Sequence, residues 1–132
     1  MRRVIVSTDG YVGSEGAAWA FVAGDITRSG VLAPTAPSHV AEWAAVSAAL
    51  AWAEATLEAG DSIELRTDSA LVAKGLASRR PAISGEAAET RAACRQALAR
   101  LAASGVQARV VRVRREENVE ADAAARDAAN RA

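Results

Sequence analysis

The sequence is poor in residues that cross-link a chain or anchor it to a membrane. Cys94 is the single cysteine among 132 residues, so an intramolecular disulfide is excluded. Its position in the helical pattern ETRAACRQALARL predicts a buried helix face rather than a catalytic thiol. No apolar run approaches membrane-spanning length, and the beginning MRRVIVSTDG lacks an apolar signal region. We therefore expect a cytoplasmic protein that does not contact membranes.

Aromatic residues are also scarce. They make up 4% of the chain, whereas hydrophobic residues make up 51% and include many alanines. This composition is typical of a globular protein and predicts that small-residue helices pack against a β-branched sheet. The length predicts one domain, residues 1–132, with a single core.

The chain has no excess of charge of either sign. A formal net charge of zero argues against binding nucleic acid through overall charge. However, residues 1–66 carry 4 basic and 8 acidic side chains, whereas residues 67–132 carry 12 basic and 8 acidic ones. The basic residues of the second half are nearly all arginine, whose planar guanidinium suits phosphate oxygens. A basic face for nucleic acid and an ordinary solvated helix surface both fit this pattern.

Strand and helix patterns alternate along the chain. Strands are predicted over 3–9, 17–23, 26–32, 62–68 and 106–113. Helices are predicted from the N-cap Ser38 to Gly60, from the N-cap Ser69 to about Leu76, over 86–103, and after the N-cap Asn118. This order predicts an α/β fold with a mixed five-stranded sheet, three antiparallel strands plus two parallel, flanked by helices.

The first long helix has a clear apolar stripe. Its members recur at alternating spacings of three and four residues: Trp43, Val46, Leu50, Ala53 and Leu57. This spacing predicts that one helix face packs on the sheet, with Glu42 beside the stripe in the first turns.

Four acidic residues occupy positions from which they could meet. Asp9 and Asp68 each close a predicted strand, and neighbouring strands lie about 4.8 Å apart. Glu42 and Asp122 lie in the first turns of helices that can reach the same edge of the sheet. Carboxylates packed together repel unless a cation neutralises them, and four could hold two divalent ions for phosphodiester cleavage. Each acid alone also fits an ordinary role, as a solvated turn residue or a helix-dipole partner.

Four segments in order resemble the motifs of the type 1 ribonuclease H family, and the resemblance covers nearly the whole chain. The segments are TDG at 8–10 with the strand AAWAFV, AEWAAVSAALAWA at 41–53, RTDSALVAKGL at 66–76 and VRREENVEADAAARDAA at 113–129. The last segment is similar to the subgroup pattern V-x-R-E-x-N-x-x-A-D.

The resemblance implies a ribonuclease H-like fold and an enzyme. Asp9, Glu42, Asp68 and Asp122 would bind two Mg²⁺ or Mn²⁺ ions and catalyse hydrolysis. The substrate would be the RNA strand of an RNA/DNA hybrid, cut as an endonuclease to leave 5′-phosphate and 3′-hydroxyl ends. Contacts to 2′-hydroxyl groups would distinguish RNA from DNA, with little dependence on base sequence. We expect the enzyme to act as a monomer.

Arg115 marks a departure from many family members, which carry a histidine in the loop before the last helix. The resemblance places Arg115 among the catalytic residues of the arginine-bearing subgroup. Arginine cannot deprotonate, so its role would be charge stabilisation or product release rather than that of a general base. The alternative is that Arg115 only pairs with Glu116, Glu117 or Glu120.

The resemblance also implies contacts to the substrate. His39 lies three residues before Glu42, where the family often has asparagine, and it is either a substrate contact or an ordinary residue of the first helical turn. Some relatives have a basic, tryptophan-bearing insertion where this chain has only the short loop ASRRPAISG. The candidate substrate-binding residues are Gly10, His39, Ser69, Arg79, Arg80 and Asn118.

Two other classes of function remain open. One is a different nuclease on the same scaffold, such as an exonuclease or a junction resolvase. An exonuclease of that kind would have acid-x-acid at the end of the first strand, and this chain has Asp9, Gly10 and Tyr11 there. The other is a non-catalytic hybrid-binding domain, which usually lacks at least one of the four acids.

Overall fold

The sheet of the computed structural model, which describes residues 1–78 and 87–131, has five strands in the order β3-β2-β1-β4-β5. The strands are β1 Arg3–Gly13, β2 Gly16–Ala23, β3 Ile26–Leu32, β4 Ser62–Thr67 and β5 Gln107–Arg112. β1, β2 and β3 are antiparallel neighbours, whereas β4 runs parallel to β1 and β5 runs parallel to β4. The predicted mixed five-stranded sheet is therefore confirmed.

Helices connect and cover these strands. Within the described ranges they are α1 Ser38–Thr56, α2 Ala70–Ala77, α3 Ala88–Ala103, α4 Val119–Asn130 and a single 3₁₀ turn Arg115–Glu117. No helix in these ranges combines the length and the apolarity needed to cross a membrane. The predicted order of elements is thus observed.

The first strand is longer than the sequence predicts. β1 continues to Gly13, so Asp9 lies inside the strand and does not close it. The glycines after Asp9 indicated a loop, but β2 pairs with this half of β1 as far as Gly13↔Gly16. The pairing of β1 with β4 ends earlier, at Thr8↔Thr67. Asp9 therefore follows the last parallel pair while its backbone stays in the antiparallel ladder.

Both ends of α1 differ from the prediction. Ser38 is the first helical residue, and Pro37 is the N-cap. The Pro37 carbonyl accepts hydrogen bonds from the N–H groups of Val40 at 3.1 Å and Ala41 at 3.3 Å. The proline ring has no acceptor, so no side-chain hydrogen bond caps this end.

The helix ends at Thr56 rather than at Gly60. The Asp61 side chain accepts a hydrogen bond from the Glu58 N–H at 2.8 Å, which favours the turn over a further helical turn. Gly60 lies in this turn with a φ of +95°, a conformation that glycine adopts readily.

The core lies mainly between α1 and the sheet. All five stripe residues are buried, four of them in α1 and Leu57 at its C-cap, and Cys94 of α3 is buried in the same cluster, as predicted. Because side chains alternate along a strand, Val4 and Val6 of β1 pack into this cluster, whereas Tyr11 packs with alanines of α4 on the opposite face. The two helices therefore cover opposite sides of β1, where Asp9 lies.

The stripe predicts a large difference between two leucine truncations. Leu50→Ala removes a side chain that is 1% exposed, so we expect unfolding free energy to fall by about 2–5 kcal/mol. Leu71→Ala is the matched control, because Leu71 is also helical but 58% exposed, and we expect a change within about 0.5 kcal/mol. Urea denaturation measures both values, and equal losses would contradict this assignment of the core.

Candidate functional site

Parallel pairing brings the first two acids together. The register of β1 and β4 ends at Thr8↔Thr67, and the next residues along the two strands are Asp9 and Asp68. Asp9 is 3% exposed and Asp68 is half-buried. The two carboxylates therefore come together through the strand pairing itself.

Two buried threonines form hydrogen bonds at this edge of the sheet. Thr8 Oγ1 donates a hydrogen bond to the Arg66 carbonyl at 3.0 Å, across the two strands. Thr67 Oγ1 accepts one from the Ser69 N–H at 3.0 Å, where the chain turns into α2. We did not predict these supporting roles. The sequence does contain a pattern that indicates them, because the dipeptide Thr-Asp occurs at residues 8–9 and at residues 67–68.

Gly10 allows α1 to approach β1 closely enough to place Glu42 beside Asp9. A Cβ atom on Gly10 would lie 2.4 Å from the backbone carbonyl carbon of Ala41 and 2.4 Å from the Glu42 nitrogen. A backbone hydrogen bond also links Gly10 to the Glu42 carboxylate. The structure thus gives Gly10 a packing role, while its contact with substrate stays a prediction.

Three of the four predicted acids form one cluster. Asp9, Glu42 and Asp68 each offer a carboxylate oxygen, and these oxygens lie within 4.8 Å of one another. The carboxyl group of Asp122, in the first turn of α4, contributes to the raised pKa of Asp9. Asp122 Oδ2 also lies 3.6 Å from Nη2 of Arg126. The fold therefore brings three of the four predicted acids into one cluster, and Asp122 acts on Asp9 from α4.

The cluster strongly favours protonated carboxyl groups while no cation is bound. Burial, followed by the charges of Glu42 and Asp68, raises the pKa of Asp9 from its ordinary 3.8 to about 9. Burial also raises the pKa of Glu42 from 4.5 to about 7, although hydrogen bonds from Asp9 and Gly10 and the charge of Arg115 lower it. Asp9 and Glu42 therefore titrate as a pair.

One oxygen of this pair is left without a partner. Glu42 Oε2 is buried and accepts no hydrogen bond. A buried acceptor beside crowded carboxylates is costly by itself, but a hard cation with oxygen ligands would satisfy it. The donor set thus fits a divalent cation of the Mg²⁺ or Mn²⁺ type.

Arg115 contributes positive charge to the site. It lies in the 3₁₀ turn before α4, and its charge lowers the pKa of Glu42. The ion pairs of this turn belong to its neighbour, because Arg114 Nε lies 3.6 Å from Glu116 and 3.2 Å from Glu117. This arrangement favours the interpretation in which Arg115 acts on the carboxylates.

Asn118 is at the predicted N-cap position of α4, but its side chain does not cap the helix. Instead its Nδ2 donates to the Thr8 carbonyl at 2.9 Å and to Asp68 Oδ2 at 3.5 Å. Asn118 is 1% exposed, which argues against the predicted contact with substrate. The capping prediction was wrong because acceptors from β1 and from Asp68 compete for the side chain.

The other candidate substrate contacts are placed differently. Ser69 is the N-cap of α2, as predicted, and its Oγ accepts a hydrogen bond from the Val72 N–H at 3.2 Å. His39 is half-buried in the first turn of α1. Arg79 and Arg80 lie outside the described residues. The role of these four residues in substrate binding stays a prediction.

Solved structures with the same fold include ribonucleases H1. The enzyme from the halophilic archaeon Halobacterium salinarum is 29% identical, with 98% of this chain and 99% of that chain covered and a TM-score of 0.77. The N-terminal ribonuclease H domain of a Mycobacterium tuberculosis protein is 20% identical, with coverage of 99% and 96% and a TM-score of 0.80. LC11-RNase H1, isolated from compost, was solved in complex with RNA/DNA hybrid and is 20% identical, with coverage of 97% and 97% and a TM-score of 0.78.

No family model and no curated protein matches the chain. The structural likeness extends over nearly the full length of each of these enzymes, and it shows that the chain has the ribonuclease H-like fold.

The crowding of Asp9 predicts how the metal-free protein responds to pH. Its pKa in the folded state, about 9, exceeds the ordinary 3.8, so the folded state binds the proton more tightly than the unfolded state. Stability should therefore fall as pH rises from about 4 to about 9. Asp9→Asn removes this ionisation, so in the presence of chelator we expect the variant to melt at a higher temperature than the parent at pH 8.

Asp127→Asn is the control, because Asp127 is an α4 aspartate with a side chain that is 65% exposed. It should keep the pH dependence of the parent. Thermal melts from pH 4 to pH 9 provide the measurement. A parent melting temperature that is level across this range would show that Asp9 is not crowded as described.

Proposed function

We propose that residues 1–132 form one catalytic domain that hydrolyses the RNA strand of RNA/DNA hybrids as an endonuclease. The products would carry 5′-phosphate and 3′-hydroxyl ends. The observation that carries the proposal is the convergence of Asp9, Glu42 and Asp68, with carboxylate oxygens within 4.8 Å of one another. The likeness to ribonucleases H1, one of them solved with RNA/DNA hybrid, supports it.

The proposed cofactor is a pair of Mg²⁺ or Mn²⁺ ions held by Asp9, Glu42, Asp68 and Asp122. The all-carboxylate donor set and the unpartnered Glu42 Oε2 fit hard divalent cations. When bound, two such ions supply activation of the attacking water and neutralisation of charge at the leaving oxygen.

Residues of the chain would position the carboxylates of this site and supply positive charge beside them. The pairing of β1 with β4 places Asp9 beside Asp68, the residue after β4, and the close approach at Gly10 places Glu42. In the metal-free state Asp9 and Glu42 retain protons that a cation would displace. Arg115 would stabilise negative charge or assist product release, and it cannot accept a proton.

Recognition of the hybrid would rest on its backbone. Gly10, His39, Ser69, Arg79 and Arg80 are the proposed contacts to it, with the 2′-hydroxyl groups identifying the RNA strand. Without a basic protrusion, affinity would depend on few phosphate contacts. We also propose that the protein acts as a cytoplasmic monomer of the subgroup with arginine in the loop before the last helix.

The alternatives are less well supported by this site. The position that would carry the second acid of an exonuclease motif is Tyr11, whose ring lies 4.7 Å from the guanidinium carbon of Arg126. A non-catalytic hybrid-binding domain would not require all four acids, and here all four are present, three of them in one cluster. A junction resolvase remains the other candidate, to be separated by choice of substrate.

Cleavage assays test the proposed function. With Mg²⁺, the parent should cut the RNA strand of a uniform RNA/DNA hybrid at internal positions, and chelator should stop it. Single-stranded RNA, duplex RNA and a four-way DNA junction should be cut much more slowly. Cleavage of the junction alone would overturn the proposal in favour of a resolvase.

Substitution of the acids should remove this activity. Asp9→Asn and Asp68→Asn should each lower kcat by at least about 100-fold, because a lost metal ligand removes several kcal/mol of charge stabilisation. Asp127→Asn, on the exposed side of α4, should cut at the parental rate. Parental rates in both site variants would mean that the carboxylate cluster is not the active site.

Arg115 should affect the chemical step more than substrate binding. We expect Arg115→Ala to lower kcat about 10- to 100-fold with little change in KM, and Arg115→Lys to recover part of the loss. Arg114→Ala is the matched control, because Arg114 pairs with Glu116 and Glu117. Steady-state kinetics on a hybrid measures all three variants, and a larger kcat loss in Arg114→Ala would contradict the assignment.

A further inference from the structure

Asn118 connects the start of α4 to β1 and to Asp68, the residue that follows β4. Its side chain is buried, and its Nδ2 lies 2.9 Å from the carbonyl oxygen of Thr8, the residue directly before Asp9. The same Nδ2 lies 3.5 Å from Asp68 Oδ2. One amide group therefore contacts the backbone of β1 and one of the clustered carboxylates.

The orientation of this amide follows from its neighbours. A carbonyl oxygen and a carboxylate oxygen only accept hydrogen bonds, so the NH₂ group must face them. Asn118 Oδ1 then faces away from these two acceptors and is buried without a hydrogen-bond partner. The side chain is therefore specified by its two donor contacts.

The backbone of Asn118 reaches two further residues of the site. Its N–H donates to the Arg115 carbonyl at 3.0 Å, and its carbonyl accepts from the Asp122 N–H at 3.1 Å. Asn118 thus has hydrogen bonds to Asp68, Arg115 and Asp122, and to the residue before Asp9.

Helix stability does not account for this side chain. Asparagine at an N-cap ordinarily accepts a hydrogen bond from the first turn, but here that bond is absent. The side chain forgoes the capping bond and leaves Oδ1 unsatisfied, while both amide protons have acceptors. Its placement serves β1 and Asp68 rather than α4.

We propose that Asn118 is a positioning residue of the metal site. Its amide holds the Asp68 carboxylate and fixes the start of α4 against Thr8, so that Asp122 and Arg115 reach the cluster. The inference rests on the proposed function, because it assumes that the cluster holds divalent cations. Asn118 itself would touch neither the ions nor the substrate.

Metal binding without nucleic acid gives the first test. Calorimetric titration with MnCl₂ should show that Asn118→Ala weakens binding about 10- to 100-fold, the usual effect of losing an outer-shell partner. Asn118→Leu, which keeps a side chain of similar size but has no donor, should weaken it as much. Asn130→Ala, at the exposed end of the same helix, should bind like the parent. Affinity within twofold of the parent in both Asn118 variants would overturn the proposal.

Cleavage kinetics give a readout that loss of stability alone would not move. In Asn118→Ala the Mg²⁺ concentration for half-maximal hybrid cleavage should rise at least tenfold, with kcat recovering toward the parent at saturating Mg²⁺. A lower melting temperature with unchanged Mg²⁺ dependence would mean that Asn118 is merely structural and would overturn the proposal.

A measurement on the parent covers the case in which the variants do not fold. The side-chain NH₂ protons of Asn118 should exchange with water far more slowly than those of Asn130, because both have acceptors. Equal, fast exchange would overturn the proposal.

The two proposals can fail separately. If the parent cuts no hybrid but Asn118→Ala weakens Mn²⁺ binding, the positioning role stands and the proposed function falls. If the parent cuts hybrids and the Asn118 variants bind Mn²⁺ normally, only the positioning role falls. A parent that binds no Mn²⁺ would overturn both.

Discussion

The parallel pairing of β1 with β4 is the constraint on which the site depends. It makes Asp9 and Asp68 the residues that follow a matched pair of buried threonines, so that two mutually repelling carboxylates share one edge. The antiparallel pairing of β1 with β2 continues past this point and keeps the backbone of Asp9 within a strand ladder. Hydrogen bonds of the sheet thereby hold the two carboxyl groups close together despite the repulsion that arises when both ionise.

The helices bring further carboxylates close to Asp9 and Asp68. Gly10 admits α1 to backbone contact with β1, which adds Glu42, and α4 adds Asp122. In the metal-free protein this crowding and burial raise the pKa of Asp9 to about 9 and that of Glu42 to about 7. Exchange of the carboxyl protons for a divalent cation would lower the repulsion without moving the backbone.

Much of this site could be predicted from the sequence, and the exceptions have physical reasons. Glu42 beside an apolar stripe and Asp68 after a short strand are local patterns, and both lie where predicted. That Asp9 lies within β1 could not be predicted, because Gly10 indicates a loop unless the approach of α1 is known. The side chain of Asn118 was misassigned for a similar reason, since the local capping rule takes no account of an acceptor 110 residues away on β1.

In the segment between β5 and α4, neighbouring residues make different contacts and have different roles. Arg114 closes the 3₁₀ turn, because its N–H donates to the Glu117 carboxylate at 3.0 Å and its guanidinium pairs with the same group. That closure leaves Arg115 to act on Glu42 and Asn118 to contact Asp68. Since arginine stays charged at any working pH, any pH dependence of the site should come from the carboxylates. The turn contributes a fixed charge and a fixed donor, while the protons of Asp9 and Glu42 would be exchanged for cations at the proposed metal site.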